Sequence, residues 1–310
     1  MAGDPPQPEL SIVVPSFQES DGLRRLHAAL VEVLDGEVDR WELILVDDGS
    51  PDETWERIVE LTQEDPRVRG IRLSRNFGKE AAIAAGLERA VGRAAITMDA
   101  DLQHPPAAIP EMLALWRAGS HVVDGVKRNR VGQGIVHRAI SAIFNAVFSR
   151  ATQVDLNNAT DFKLLDRRAL DGLAQLPERS NFYRGTAQWI GYERSRVEFD
   201  VDERSHGNSR WRIGALARLA ITALTSFTAK PLHLVTLSGI AFGVFSVVLG
   251  AHTLFRFFQG EAVEGFTTLI LLNLILGSFL LTGLGIIGEY LARIHDEVKG
   301  RPRYLVSDER

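Results

Sequence analysis

Asp99-Ala100-Asp101 places two carboxylates one residue apart, directly after an apolar run. That pairing at a strand end suits a hard divalent cation, Mg²⁺ or Mn²⁺, which would also hold substrate phosphates. An isolated Asp-x-Asp is more often a surface acid or a cap. A second acidic pair, Asp47-Asp48, closes another apolar run. Carboxylates so placed also accept from a nucleobase or a ribose hydroxyl. Basic residues form a further group: Lys127, Arg128, Arg130 and Arg138, then Arg184, Arg204 and Arg210. Such a run is usually a solvated face. Here it recurs on the approach to a long apolar segment, and it can hold a phosphate through charge-assisted, bidentate hydrogen bonds. A metal-held nucleotide diphosphate beside an Arg-held phosphate at a membrane surface points to transfer onto a lipid phosphate. No dinucleotide glycine fingerprint, P-loop or His-Glu-x-x-His zinc motif occurs.

These residues need elements to position them. Leu10–Val14 reads as a buried strand stopped by Pro15, and Asp21–Leu34 carries helical spacing through Leu23, Leu26, Leu30 and Leu34. Trp41–Val46 is a second strand. Ser50-Pro51-Asp52-Glu53 has the form of a capping box, so a helix is expected to start there. Val68–Leu73, Ala94–Met98 and His121–Val126 are further strands, and Ala81–Val91 is helical. This alternation predicts an α/β fold, a mostly parallel sheet with helices on both faces. Ligands of such sheets bind beyond the C-terminal strand ends. Both acidic pairs should therefore meet at one edge.

The 310 residues include no cysteine, which excludes disulfides, Cys-ligated zinc and a thiol nucleophile. The formal net charge of -5 argues against a nucleic-acid partner. Met1–Glu9 holds three prolines and no apolar run, a disordered lead. Pro231–Phe255 and Gly265–Gly288 are 25 and 24 residues long without a formal charge. A helix crosses a bilayer core with about 20 residues, so both are expected to span a membrane; a pair of buried core helices is the alternative. Arg210, Arg212, Arg218 and Lys230 precede the first segment, and Arg293, Lys299, Arg301 and Arg303 follow the second. That bias places both termini and the catalytic domain on the cytoplasmic side. The expected division is a lead (1–9), a catalytic domain (10–209), a juxtamembrane amphipathic helix (210–230), two spans (231–255, 265–288) around an external loop (256–264), and a cytoplasmic tail (289–310). The amphipathic stretch, with Leu216, Leu219, Ala220, Ala223 and Phe227 on one face, reads equally as a helix packed on the domain.

The chain resembles the polyprenyl-phosphate glycosyltransferases of glycosyltransferase family 2, the group that includes dolichol-phosphate-mannose synthases, and within it the bacterial two-span branch. The resemblance covers about residues 10–305. It rests on Ser11-Ile12-Val13-Val14-Pro15, Leu45-Val46-Asp47-Asp48-Gly49-Ser50, Ser74-Arg75-Asn76-Phe77-Gly78-Lys79-Glu80, Asp99-Ala100-Asp101-Leu102-Gln103-His104-Pro105-Pro106 and Thr160-Asp161-Phe162-Lys163-Leu164. Arg204-x-x-Gly207-x-Ser209-Arg210-Trp211 and Gly288-Glu289-Tyr290-Leu291-Ala292-Arg293-Ile294 follow. The resemblance implies a GT-A fold. It also implies that Pro15, Glu19, Asp47, Asp48, Lys79 and Asp99 face the nucleotide donor, with Asp48 the more direct contact. Asp101 would bind Mg²⁺ or Mn²⁺, with Asp99 at the ribose or in the metal shell and Gln103 beside the donor sugar. Asp161 matches the family's proposed catalytic base. Arg204, Ser209 and Arg210 would clamp phosphates, and Arg128, Arg138 and Ser141 fall near the acceptor-phosphate contacts.

Two departures stand out. Ser16-Phe17-Gln18-Glu19 carries Gln where the family has Asn, and Arg210 replaces the usual Lys. The expected reaction is inverting transfer of a sugar, glucose from UDP-glucose first and mannose from GDP-mannose second, onto undecaprenyl or another polyprenyl phosphate. The acceptor is already anionic, so orientation matters more than deprotonation, and Asp161 need not be a strict base. A phosphoglycosyl transferase or lipid-phosphate hydrolase, and a non-catalytic membrane scaffold, are the competing readings. The resemblance also implies a homo-oligomer, tetrameric in some relatives.

Overall fold

A computed structural model describes residues 7–128, 159–176, 183–200, 230–259 and 265–310. The chain divides into two units, one made of residues up to Arg210 together with Pro302–Arg310, the other of Trp211–Arg301.

In the first unit, β1 (Leu10–Ser16), β2 (Trp41–Asp47) and β4 (Ala94–Thr97) are short, largely apolar runs, and β3 (Val68–Leu73) alternates apolar residues with Arg69 and Arg72. Strands of this composition are buried on both faces, as parallel strands are. The helices between them, α1 (Leu23–Leu34), α2 (Thr54–Glu64) and α3 (Lys79–Arg89), complete the crossovers. A short 3₁₀ turn (Pro106–Ala108), α4 (Ile109–Arg117), β5 (Val122–Lys127), β6 (Ala159–Asp166), α5 (Arg167–Ala174), α6 (Tyr183–Trp189) and β7 (Arg194–Phe199) follow. The last element is β8 (Val306–Glu309).

The sheet has eight strands in the order β7-β5-β6-β4-β1-β2-β3-β8. β4, β1, β2 and β3 are mutually parallel, whereas β6 runs antiparallel to β4 and β5. The order reverses at β1, whose neighbours are β2 and β4. The C-terminal ends of all three meet there: Ser16 pairs with Asp47, and Val13 with Thr97.

One face of the sheet packs Leu10, Ile12, Val14 and Phe162 against α1, α2 and α4. The other packs Val13, Ile44, Val46 and Leu165 against α3, α5 and α6. Helix α3 approaches β1 closely because Gly86 lacks a side chain. A Cβ there would lie 2.3 Å from Val13 Cγ1. Gly49 serves the loop after β2, with φ +67° and only 2.5 Å between an added Cβ and the Arg75 carbonyl carbon.

The capping-box expectation fails. Helix α2 begins at Thr54, and no side chain caps it. Ser50 Oγ instead accepts the Gln18 N–H at 3.0 Å, and Asp52 takes the Thr54 hydroxyl at 2.7 Å. Ser50 is thereby committed to the β1 loop, while Asp52 stays within the β2 loop and holds the Thr54 hydroxyl that in turn accepts the Glu19 N–H.

Residues 289–310 carry more structure than a tail. β8 pairs antiparallel with β3, and Gly70 and Arg310 exchange two backbone hydrogen bonds at 2.9 and 2.8 Å. Glu309 accepts from Arg89 at 3.1 Å, and the Tyr304 hydroxyl donates to Glu88 at 2.5 Å. The strand thus covers an otherwise open edge.

The second unit contains α7 (Lys230–Phe258) and α8 (Phe266–Val298). Phe242 packs on Phe279 at 4.5 Å between ring centroids, and Gly283 faces Val235. Since partners run in opposite order, the two helices are antiparallel, a hairpin. Both are long and apolar enough to cross a membrane, over Val235–Thr253 and Ile275–Val298. Val247 and Leu281 are more than 70% exposed, an apolar surface that needs a cover other than water. The expected amphipathic segment 211–227 lies outside the described residues.

Candidate active site

The strand ends at the reversal point open into a cleft of about 330 Å³, lined by Pro15, Phe17, Glu19, Asp48, Lys79, Asp99 and Asp101 among others. Residues separated by more than 80 positions in sequence come together here, as the parallel sheet requires. The first element is β1, which ends in Pro15 and Ser16. The Ser16 hydroxyl is buried without a hydrogen-bond partner. Gln18 takes a left-handed backbone, φ 58°, and the Glu19 N–H is held by Thr54 Oγ1 at 3.0 Å.

Asp47 and Asp48 divide their work. Asp47 is fully buried, with Oδ1 accepting the Ser50 N–H at 2.9 Å and Oδ2 3.3 Å from Arg72. It shapes the β2 loop and does not line the cleft. Asp48 does line it, yet its two oxygens accept the Phe77 and Gly78 N–H groups at 2.7 and 2.9 Å. That pair fixes the start of α3, from which Lys79 projects.

Lys79 bridges two carboxylates, Nζ lying 2.5 Å from Asp99 and 2.6 Å from Asp161. Burial opposes its charge, but Asp99 and Asp161 outweigh burial and raise its pKa. Asp161 sits on β6, two residues beyond Lys163, the partner of Thr97. The antiparallel strand thereby reaches the parallel strands' C-terminal edge. Arg184, from α6, grips Asp161 with two hydrogen bonds, 2.7 and 2.8 Å. Burial alone would raise the Asp161 pKa. Arg184 and then Lys79 overcome that and hold it well below the usual carboxylate range. A carboxylate clamped by two cations is a weak base.

Behind this cluster, Lys163 is buried in an ion pair with Asp124, which also faces Arg194 at 3.3 Å. Glu80 accepts the Tyr183 N–H at 2.8 Å, at the start of the helix that carries Arg184. Burial, then the Asp161 charge, pushes the Glu80 carboxyl up to about 7.

The Asp99–His104 loop holds the remaining acids. Asp101 is exposed, and its Oδ1 accepts the Gln103 N–H at 3.1 Å. Asp99 is taken up by Lys79. Glu19 faces both: burial first, then Asp101 and Asp99, raise its pKa. Three carboxylates therefore load the cleft with negative field that Lys79 offsets only in part. Among the described residues no cluster of three His, Asp or Glu could enclose an ion. A donor set of one or two hard oxygens fits Mg²⁺ or Mn²⁺ that fills its shell with substrate phosphates and water. Asp101, with Asp99, would supply those oxygens.

The structure thus brings together Pro15, Glu19, Asp48, Lys79, Asp99, Asp101, Gln103 and Asp161. Arg128 follows β5, exposed and paired with Glu198 and Asp200 at 3.3 and 3.0 Å. Arg138, Ser141, Arg204, Ser209 and Arg210 lie outside the described residues. The sequence points to Arg184 only as one of a group of basic residues able to hold a phosphate, and no spacing ties it to Asp161. His104 has no role assigned from sequence. His104 stood inside a motif, five residues after Asp99. Its buried ring, 3% exposed, is pushed down by burial to about 4 and is neutral near pH 7.

The family model for glycosyl transferase family 2 matches residues 11–172, just over half of the chain. An uncharacterized glycosyltransferase of Synechocystis is 39% identical, over 97% of this chain and 95% of its own. The chain belongs to glycosyltransferase family 2. Another relative of this family 2 enzyme is a prophage-derived bactoprenol glucosyl transferase of Shigella flexneri, 33% identical over 96% of this chain and 97% of that one. Among solved structures, glucosyl-3-phosphoglycerate synthase from Mycobacterium tuberculosis, in complex with Mn²⁺, UDP and phosphoglyceric acid, matches with a TM-score of 0.53 at 18% identity. That match covers 71% of this chain and 78% of the synthase. That likeness shows the fold, a GT-A arrangement built on a mostly parallel sheet.

Proposed function

We propose that this enzyme transfers glucose from UDP-glucose to a polyprenyl phosphate at the cytoplasmic membrane face, with inversion at the anomeric carbon. The observation that carries this reading is the cleft itself: Glu19, Asp48, Lys79, Asp99 and Asp101 line it, and Asp161 joins Lys79 to Arg184 beside it. Carboxylates suit a nucleoside and its metal, and the cation pair suits a diphosphate. The relatives named for bactoprenol glucosyl transfer support the acceptor and the sugar. The apolar hairpin supports a lipid substrate, because a long polyprenyl chain stays in the bilayer and the site must come to it.

In this mechanism Asp101 and Asp99 would hold a divalent cation, Mg²⁺ or Mn²⁺. When bound, that ion neutralises negative charge on the leaving diphosphate. Lys79 and Arg184 lie within one ion-pair cluster and meet the same charge from the protein side. Asp161 orients them. The acceptor phosphate oxygen is the nucleophile and is anionic without a base, so Asp161 needs no proton. Arg128, Arg138, Ser141, Arg204, Ser209 and Arg210 are assigned to the acceptor and diphosphate contacts. Both termini are assigned to the cytoplasm, and the protein to a homo-oligomer.

The test uses purified full-length protein in detergent with undecaprenyl phosphate, Mn²⁺ or Mg²⁺, and a panel of UDP- and GDP-sugars. Mass spectrometry should find UDP and a polyprenyl monophosphate-glucose, absent with Asp101→Ala. GDP and a mannolipid would replace the donor reading. A nucleoside monophosphate with a lipid diphosphate-sugar would replace the reaction.

A further inference from the structure

The loop that carries Asp99 and Asp101 is closed by His104. Its Nδ1 accepts the Asp99 backbone N–H at 3.0 Å. An N–H can donate only to an unprotonated nitrogen, so the ring is the Nε2–H tautomer. Within the closed loop Leu102 takes φ 60°, a left-handed conformation that a branched residue holds only when its surroundings impose it. Leu102 packs on the core below, and Asp101 Oδ1 accepts the Gln103 N–H. The strain is therefore enclosed between a core contact and the His104 hydrogen bond.

The His104 ring is in turn fixed by aromatic contacts. It stacks on Phe162 at 5.1 Å with planes 10° apart, and meets Phe199 edge-on at 5.9 Å. Phe162 is the neighbour of Asp161 on β6. Successive side chains of a strand point to opposite faces. Strand β6 thus fixes Lys79 and Arg184 through Asp161 on one face, and the Asp99–Gln103 loop through Phe162 and His104 on the other.

We propose that His104 is a positioning residue: its acceptor nitrogen and its stack on Phe162 set Asp99 and Asp101 for a divalent cation and tie that loop to the strand bearing Asp161. It touches neither metal nor substrate. The assignment rests on the reading that these carboxylates hold a metal.

Three variants of the full chain test it. His104→Asn keeps an acceptor near Nδ1 and loses the ring; His104→Phe keeps the ring and loses the acceptor; Phe162→Leu removes the stack. Amide hydrogen exchange at residues 99–103 reads the loop. Electron paramagnetic resonance titration of Mn²⁺ with UDP present reads the metal, and thermal melts read stability. His104→Phe should speed loop exchange and weaken Mn²⁺ about 10–100-fold, the range for residues that orient metal ligands. Phe162→Leu should move both readouts the same way, and His104→Asn should lie nearer wild type than His104→Phe. Wild-type exchange and Mn²⁺ affinity in His104→Phe would overturn the proposal. So would a common loss of melting temperature with no separate change in the loop. If wild type binds no Mn²⁺, the metal reading falls and the loop's part in it falls too, while the exchange data still decide whether His104 closes the loop.

Discussion

Asp161 sits where a catalytic base is expected and lacks a base's electrostatics. Two cations grip it, and its side chain is 4% exposed. Asp161→Asn should lower turnover by about a hundredfold, because Lys79 and Arg184 lose their common anchor. The pH–rate profile between pH 5 and 9 should keep its shape, since Asp161 carries no titration there to lose. A limb that disappears in the variant would restore it as the base. Glu80 behaves in the opposite way. Its folded pKa, about 7, lies above its reference of 4.5. The folded state therefore keeps the proton longer than the unfolded chain. That contribution to stability is complete below about pH 4.5 and is lost as pH rises through 7. Glu80→Gln should flatten the fall in melting temperature between pH 5 and 8. The gain at pH 8 should be on the order of 1–2 kcal/mol, discounted for partial exposure.

At the scale of elements, close packing decides more than propensity. Gly86 sits inside α3, where Ala would favour the helix by about 1 kcal/mol. The clash of its Cβ with Val13 should win, so Gly86→Ala should destabilise by about 1–3 kcal/mol in chemical denaturation. An unchanged midpoint would mean that α3 moves freely on β1. Much of this architecture was readable beforehand. β1 to β5 and helices α1 and α3 follow from apolar runs and helical spacing, because a parallel core strand is apolar on both faces. β6 escaped as a strand since Thr160, Asp161 and Lys163 interrupt its apolar pattern. Those residues are buried polar groups satisfied by Thr97, Gly125, Arg184 and Asp124, partners no local window contains. β8 is four residues of mixed polarity and forms only because the β3 edge is waiting. The α2 start was misplaced because Ser50, a good cap by type, serves Gln18. Within the site, the acids at strand ends were legible from position. The pairing of Arg184 with Asp161 and the part of His104 were not, because their partners are set by which strands become neighbours.

For the whole molecule, the absence of native cysteine makes topology directly testable. A single cysteine at position 262, in the linker between α7 and α8, should react with an impermeant maleimide added to intact cells. One at position 308 should react only after permeabilisation. The reverse pattern would invert the assigned orientation. Alkaline carbonate should leave the protein in the membrane fraction.

The pairing of β8 with β3 carries a consequence for how the protein can be taken apart. The sheet is entered by residues before the hairpin and completed by residues after it, so the hairpin unit is an insertion within one domain. A protease that cuts the chain once, anywhere between residues 201 and 229, leaves the catalytic domain held through β8 and the linker 299–305. Release should need a second cut in that linker, or conditions that peel β8 from β3. A nicked enzyme that still sediments with membranes, then floats free after removal of β8, would display that double attachment in a single gel.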